Sequence, residues 1–258
     1  MLLWPAAAWA QAPSDDELLH KAVATFQEGV AHRGQRGEVE WFRQVAADFA
    51  ELRHRGFHSA ALASNEGNAC LLANDVPGAI LAYRQGLNLS PNDIRLRSAL
   101  AYARTQVLYQ PHSNLGKLSA ERWPVWLPRP TPMMAWVSLG CLYALACVTG
   151  TLWWMTRQRG PLLASGVCLL LSTALGAWLA WQRSAQADDL AHPVGVVADD
   201  HVYVLKGNGP LYEKRYDTPL NQGVEVRRRF LRHGWVQVEL AGGQVGWLPE
   251  KAVKFDQP

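Results

Sequence analysis

The chain has 258 residues, and its 25 lysine and arginine residues exceed its 22 aspartate and glutamate residues by three. This excess lies in neither flank, because residues 11–110 carry 10 basic and 11 acidic side chains and residues 184–258 carry 9 and 10. A nucleic-acid-binding domain would carry its own basic face, so this distribution argues against one. It indicates instead that charges flank an apolar segment in the middle of the chain.

The first ten residues are apolar and end in Ala8-Trp9-Ala10, which matches the A-x-A pattern of a signal-peptide cleavage site. They lack the basic start of a complete signal peptide. We interpret residues 1–10 as a truncated signal peptide, with an apolar tail as the alternative. If the peptide is cleaved, the chain from Gln11 onward is exported.

Residues 14–110 have the pattern of an all-α domain. Ser14 and Glu17 form a capping box, in which each side chain satisfies a backbone N–H at a helix start. Apolar residues then recur at helical spacing in five segments, which glycine and proline residues interrupt. We therefore predict five helices in this domain.

One segment, residues 60–93, has the pattern of a tetratricopeptide repeat. Gly67, Ala79, Tyr83 and Pro91 occupy its small, small, aromatic and proline positions. The two small residues would let antiparallel helices approach closely, the tyrosine would fill the gap beside them, and the proline would end the second helix. Such helical pairs stack on their neighbours and present a concave surface that suits a peptide or a partner protein.

Two long apolar segments follow a neck rich in proline and tryptophan (111–132). Residues 133–155 and 161–182 contain no charged side chain, and each exceeds the roughly 20 residues that a helix needs to cross a membrane. Only residues 156–160 separate them, so we predict an antiparallel transmembrane hairpin. Seven of the 12 tryptophans lie in the neck or in these two segments, as expected for rings that prefer the headgroup layer.

The orientation of this hairpin depends on two signals. Arg157 and Arg159 in the short loop favour a cytoplasmic loop, although basic residues also flank the opposite ends. A cleaved signal peptide supports the same orientation, because it exports the chain that follows. We expect a two-pass protein of the bacterial inner membrane whose N- and C-terminal domains face the periplasm.

After Pro193 the pattern changes to short alternating strands, separated by turns rich in glycine. This pattern predicts a small all-β barrel over residues 193–256. The predicted strands are 194–198, 202–206, 224–230, 235–240, 244–248 and 253–255. The residues resemble a bacterial SH3 domain, most clearly in Trp235-Val236-Gln237-Val238 and Gly246-Trp247-Leu248.

Two sets of side chains in this barrel are candidates for binding. An aromatic set would line a groove for an extended peptide or a cell-wall stem peptide, although Trp235 fits a core position equally well; this set is Tyr203, Tyr212, Tyr216 and Trp235. A basic set would contact an anionic lipid surface or an acidic partner, although a solvated strand face accounts for it better. The basic set is Arg227, Arg228, Arg229 and Arg232.

The order of helical repeat, hairpin and barrel resembles the BatE-type proteins of the Bacteroides aerotolerance (Bat) operon. The residues that carry the resemblance are Asn65-Glu66-Gly67-Asn68-Ala69-Cys70, Ala79-Ile80 and Ala82-Tyr83-Arg84. The resemblance implies an inner-membrane protein with periplasmic domains, whose partners are von Willebrand A (VWA) domain Bat proteins and a MoxR-type ATPase. It implies a role in envelope integrity or in tolerance of oxidative stress, and it brings no catalytic residues.

We therefore expect a non-enzymatic scaffold whose helical domain and barrel each hold a partner protein; the alternative is an envelope sensor that binds peptidoglycan through the barrel. The sequence shows no Ser/His/Asp order, phosphate-binding glycine loop or paired acids that would indicate an enzyme. His54 and His58 are four residues apart, but Gly56 lies between them and no glutamate accompanies them. We expect no metal and no cofactor.

Overall fold

The computed structural model describes residues 15–31, 34, 37–109 and 132–255. The predicted signal peptide, the capping residue Ser14 and the neck as far as residue 131 lie outside the described residues. The described residues contain seven α-helices and one small sheet. They divide into two units, of which one holds the first five helices with the sheet and the other holds the two long apolar helices.

Among the described residues, five helices precede residue 110, as the sequence predicts. They are α1 (Asp15–Ala31), α2 (Glu38–His54), α3 (Ala60–Leu72), α4 (Val76–Leu89) and α5 (Ile94–Thr105). Ser59, Asp75 and Asp93 cap α3, α4 and α5, because a side-chain oxygen of each accepts a hydrogen bond from a backbone N–H in the first turn. α4 ends at Leu89, two residues before Pro91.

The two apolar helices are α6 (Pro132–Thr156) and α7 (Arg159–Ala191). Residues Met133–Thr156 and Arg159–Ser184 are long and apolar enough to cross a membrane. In the most apolar 18-residue stretch of each, only 11% and 17% of the residues are buried. They pack as an antiparallel pair, in which the Ser165 hydroxyl donates to the Ala146 carbonyl at 3.1 Å. α7 continues to Ala191 as a single helix, well beyond the predicted end at residue 182.

The C-terminal region forms a five-stranded sheet in the order β4-β3-β2-β1-β5. The pairs β1–β5, β2–β3 and β3–β4 are antiparallel. The strands are β1 (Val194–Val197), β2 (Glu225–Arg232), β3 (Trp235–Glu239), β4 (Val245–Pro249) and β5 (Val253–Phe255), with a short 3-10 helix (Glu250–Ala252) before β5.

The predicted strand over 202–206 is wrong. This segment makes single bridges at Val202 with Leu220 and at Leu205 with both Lys214 and Trp247. Alternation in the sequence identified a segment in which only Val204 is fully buried. Its backbone bridges to neighbouring segments at single residues, so no continuous ladder forms. The other five predicted strands each coincide with an observed strand to within two residues.

Helices α3, α4 and α5 share one hydrophobic core with the sheet, and α1 and α2 pack with α3 around a second core. Tyr83, Ile80 and Leu96 from the helices belong to the same buried cluster as Val196 and Val226 from the sheet. Polar contacts border this core: Asn221 Nδ2 donates to the Leu108 carbonyl at 2.8 Å, and Lys254 pairs with Asp75 at 3.1 Å. The sequence suggests two domains at opposite ends of a hairpin, whereas their side chains pack into one unit.

A buried carboxylate joins the two parts of this unit. Glu225 on β2 is only 2% exposed. Its oxygens accept hydrogen bonds from Arg84 Nη1 on α4 at 2.8 Å and from Arg104 Nε and Nη2 on α5 at 2.6 and 3.1 Å. Because a carboxylate without such partners would be costly to bury, the two arginines favour the packing of β2 against α4 and α5.

Replacing Glu225 by alanine should loosen this joint. We expect Glu225→Ala to lower the free energy of unfolding by about 2 kcal/mol, because the ion pairs with Arg84 and Arg104 are lost. The loss is limited because both arginines are partly exposed and can bond to water instead. Glu250 is an exposed glutamate of the same region, and Glu250→Ala should change the stability by less than about 0.5 kcal/mol. Urea unfolding of the full chain in mild detergent, followed by circular dichroism, measures both variants; equal effects would contradict the role of Glu225.

Candidate binding surfaces

A cleft of about 600 Å³ opens across the five helices. Side chains from all five helices and from the turn before α4 line it, so it exists only when these helices are stacked together. The lining residues are Phe26, Glu38, Val39, Asn68, Leu71, Leu72, Asn74, Val76, Tyr102 and Gln106.

One wall of the cleft is built by a close approach of α3 to α4. Gly67 on α3 lies so close to the Tyr83 ring that an added Cβ would stand 2.6 Å from Tyr83 Cδ1. Ala79 and Tyr83 on α4 are both fully buried, and these three predicted repeat residues therefore meet in the interior. Pro91 is exposed after α4, where its carbonyl accepts hydrogen bonds from Arg97 at 3.0 and 2.6 Å.

Tyr83 also orients a polar side chain of the cleft. Its hydroxyl donates to Asn68 Oδ1 at 2.7 Å, and burial raises the pKa of Tyr83, so the hydroxyl stays protonated and keeps this donor role. Since the oxygen of the Asn68 amide is engaged, its NH₂ group is the part that remains to donate to an occupant of the cleft.

The chemistry of the cleft suits an uncharged polar chain. Among the lining residues, Glu38 is the one carboxylate. It accepts a hydrogen bond from the Gly34 N–H at 2.6 Å. The remaining lining side chains are apolar, amide or phenol groups, which can cover apolar side chains and bond to peptide N–H and C=O groups. These are the groups that an extended peptide presents.

Cys70 on α3 is buried and does not line the cleft. Burial raises the pKa of its thiol to about 12, so the thiol is almost wholly protonated at neutral pH and is a poor nucleophile. Within the described ranges, no group of three histidine, cysteine or carboxylate side chains is placed to hold a metal ion.

The aromatic side chains expected to line a groove in the sheet region contact different neighbours. Tyr203 is half-buried with Lys214 Nζ 3.5 Å from its ring centroid, and Tyr216 packs at the edge of the core. Tyr212 is exposed and Trp235 is half-buried on β3. That the four form one groove stays a prediction.

The four arginines expected to act as a set on β2 are placed differently from one another. Arg229 Nε donates to Glu239 at 2.7 Å, and the Arg228 guanidinium lies 5.4 Å from the Phe255 ring centroid. Arg227 pairs in register with Glu239, and Arg232 pairs with Trp235 at the far end of the strand. Neighbours within the sheet thus engage Arg228 and Arg229.

Sequence reasoning missed the two most specific features of this unit. Asn68 lay within the run that carried the family resemblance, but nothing local shows that Tyr83 would fix its amide. Glu225 stands between Val224 and Val226, and this alternation by itself places a glutamate on the solvent face of a strand. The sequence therefore gave no local sign that Glu225 is buried or that it has partners.

Comparison with known proteins gives no family for this chain: no family model, no curated protein and no solved structure matches it.

The contact between Gly67 and Tyr83 should be intolerant of a single methyl group. We expect Gly67→Ala to lower the free energy of unfolding by about 2–3 kcal/mol, because the ring is buried and held by Asn68 and cannot move aside. At Gly86 an added Cβ would overlap its neighbours less, because the nearest atoms, Leu96 Cδ1 and Ala63 Cβ, would stand 2.9 and 3.2 Å away. Gly86→Ala should therefore cost less, and urea unfolding of both variants checks the order; a reversed order would contradict this explanation.

Proposed function

We propose that this protein is a non-enzymatic, membrane-anchored scaffold that binds an extended segment of a partner protein in the cleft across α1–α5. The cleft is the observation that carries the proposal, because it combines apolar side chains with fixed amide donors. Such a surface recognises a peptide without acting on it chemically.

The finer identities of the parts belong to the same proposal. We take the helical region as tetratricopeptide-like, which the close approach of Gly67 to Tyr83 supports. We take the sheet region as SH3-like, which the Trp235–Val238 and Gly246–Leu248 sequences support. On this basis the partners are proteins of the kind that the BatE resemblance implies, namely VWA-domain proteins that act with a MoxR-type ATPase.

A membrane location completes the proposal. α6 and α7 expose most of their apolar surface: Leu163, Leu170 and Met155 are 70%, 68% and 75% exposed. A hydrocarbon environment would cover these side chains at no cost in unsatisfied backbone groups. We propose that the two helices cross the bacterial inner membrane and that the helical region and the sheet face the periplasm.

The cleft should be the place where a partner is held. Val39 lines the cleft, whereas Ile94 is 68% exposed and does not line it. With p-benzoylphenylalanine at position 39 of the full chain, ultraviolet irradiation of native membranes should give one recurrent adduct to a VWA-domain protein. The same substitution at position 94 is the matched control and should not give that adduct.

A second variant tests the chemistry of the same site. Asn68→Ala should lower the adduct yield at position 39 several-fold, because it removes the amide donors that Tyr83 orients. Mass spectrometry of the adducts measures the yield. If position 39 gave no protein adduct, or gave the same adduct as position 94, the scaffold proposal would fail.

Reporter fusions test the location separately. Alkaline phosphatase, which is active only in the periplasm, should be active when fused after residue 110 and after residue 258. Green fluorescent protein does not fluoresce after export to the periplasm by the general pathway. It should therefore be fluorescent when fused after residue 158, because this loop would lie in the cytoplasm. The opposite pattern would reverse the proposed topology, and activity of one reporter at all three sites would exclude the membrane hairpin.

A further inference from the structure

The end of the β2–β3 hairpin carries an apolar surface that neither the core nor the cleft uses. Phe230 and Leu231 are adjacent near the end of β2 and are 66% and 54% exposed. Leu231 pairs with the fully buried Val236, whereas Phe230 pairs with Gln237. Since adjacent strand residues point to opposite faces, each face of the hairpin ends in an exposed apolar side chain. We call residues 230–235 the hairpin tip.

The rest of the hairpin tip is basic and aromatic. Arg232 pairs in register with Trp235 across the turn at His233 and Gly234. Arg232 is exposed, and no carboxylate pairs with it within the described parts of the chain. Glu250 donates its backbone N–H to the Gly234 carbonyl at 2.9 Å, and its exposed carboxylate is followed directly by exposed Lys251, so their two charges offset each other.

The shape of this surface indicates what covers it. A flat partner protein could cover one face of a two-stranded hairpin and would leave the other face in water. A medium that surrounds the tip would cover Phe230 and Leu231 together. The boundary between lipid headgroups and acyl chains is such a medium, and it also favours a tryptophan ring and an arginine beside anionic phosphate.

We propose that the hairpin tip inserts into the surface of an anionic bilayer, with Phe230 and Leu231 at the acyl boundary and Arg232 beside a lipid phosphate. The inference rests on the proposed membrane location. β1 begins ten residues after the end of the apolar segment at Ser184, so the chain itself keeps the sheet region tethered to the bilayer that α7 would cross. A tether of this kind makes a weak surface contact intramolecular.

The test uses the full chain in nanodiscs, made either of phosphatidylcholine alone or with added phosphatidylglycerol. With p-benzoylphenylalanine at position 230, irradiation should give lipid adducts at least five-fold more often than the same residue at Ile94, which is 68% exposed. In the Arg232→Glu background, the adduct yield at position 230 should fall at least two-fold in the discs with phosphatidylglycerol. It should change little in discs of phosphatidylcholine alone.

Each outcome decides a separate point. Equal lipid adducts at positions 230 and 94, or adducts mainly to a second copy of this chain or to another protein, would overturn the insertion of the tip. An unchanged yield in Arg232→Glu would overturn the phosphate contact. A chain that fails to co-elute with the discs would remove the membrane location itself, and this inference with it, whereas the cleft could still bind its partner.

Discussion

The pairing of Glu225 with Arg84 and Arg104 is the constraint on which the arrangement of helices and sheet depends. A carboxylate that is 2% exposed is costly to bury unless other groups bond to it. Its two partners lie on α4 and α5, so the pairing fixes which end of β2 faces the helices. Buried ion pairs contribute more to the choice of arrangement than to net stability, and here that choice brings Val226 against the helical core.

This arrangement also constrains the path of the chain. The helices and the sheet that pack together are separated in sequence by α6 and α7. A chain that crosses a bilayer twice returns to the side from which it left, so two crossings are compatible with one joined unit and a single crossing is not. The shared core is therefore compatible with the proposed hairpin, whose two ends would lie on one side of the membrane.

Within the helical region, one tyrosine has two roles. The Tyr83 ring fills the space that Gly67 leaves, and the Tyr83 hydroxyl holds the oxygen of the Asn68 amide. The residue that allows α3 and α4 to pack closely is thus the residue that orients a donor of the cleft. Packing and the orientation of the Asn68 amide are coupled at this position, because the hydroxyl reaches Asn68 when the ring is seated against Gly67.

Much of the fold follows from local patterns in the sequence. The caps at Ser59, Asp75 and Asp93 begin three helices, the uncharged segments give α6 and α7, and alternation gives five strands within two residues of their observed bounds. These features depend on neighbours within one turn or one strand, so the sequence alone is sufficient for them. The strand predicted over 202–206 was wrong, because an alternating pattern shows which side chains can face the interior and does not require a continuous hydrogen-bonded ladder.

The sequence by itself determined most of the helices and strands, and it singled out Gly67, Ala79 and Tyr83, whose spacing is local, as buried residues of α3 and α4. Only the tertiary structure decided that the helices and the sheet form one unit, that Glu225 meets arginines 141 and 121 positions away in the chain, and that side chains from five helices line one cleft. The physical reason is the same in each case. Burial of a charge or closure of a cavity depends on groups that are distant in sequence, and no local pattern records which of them will meet.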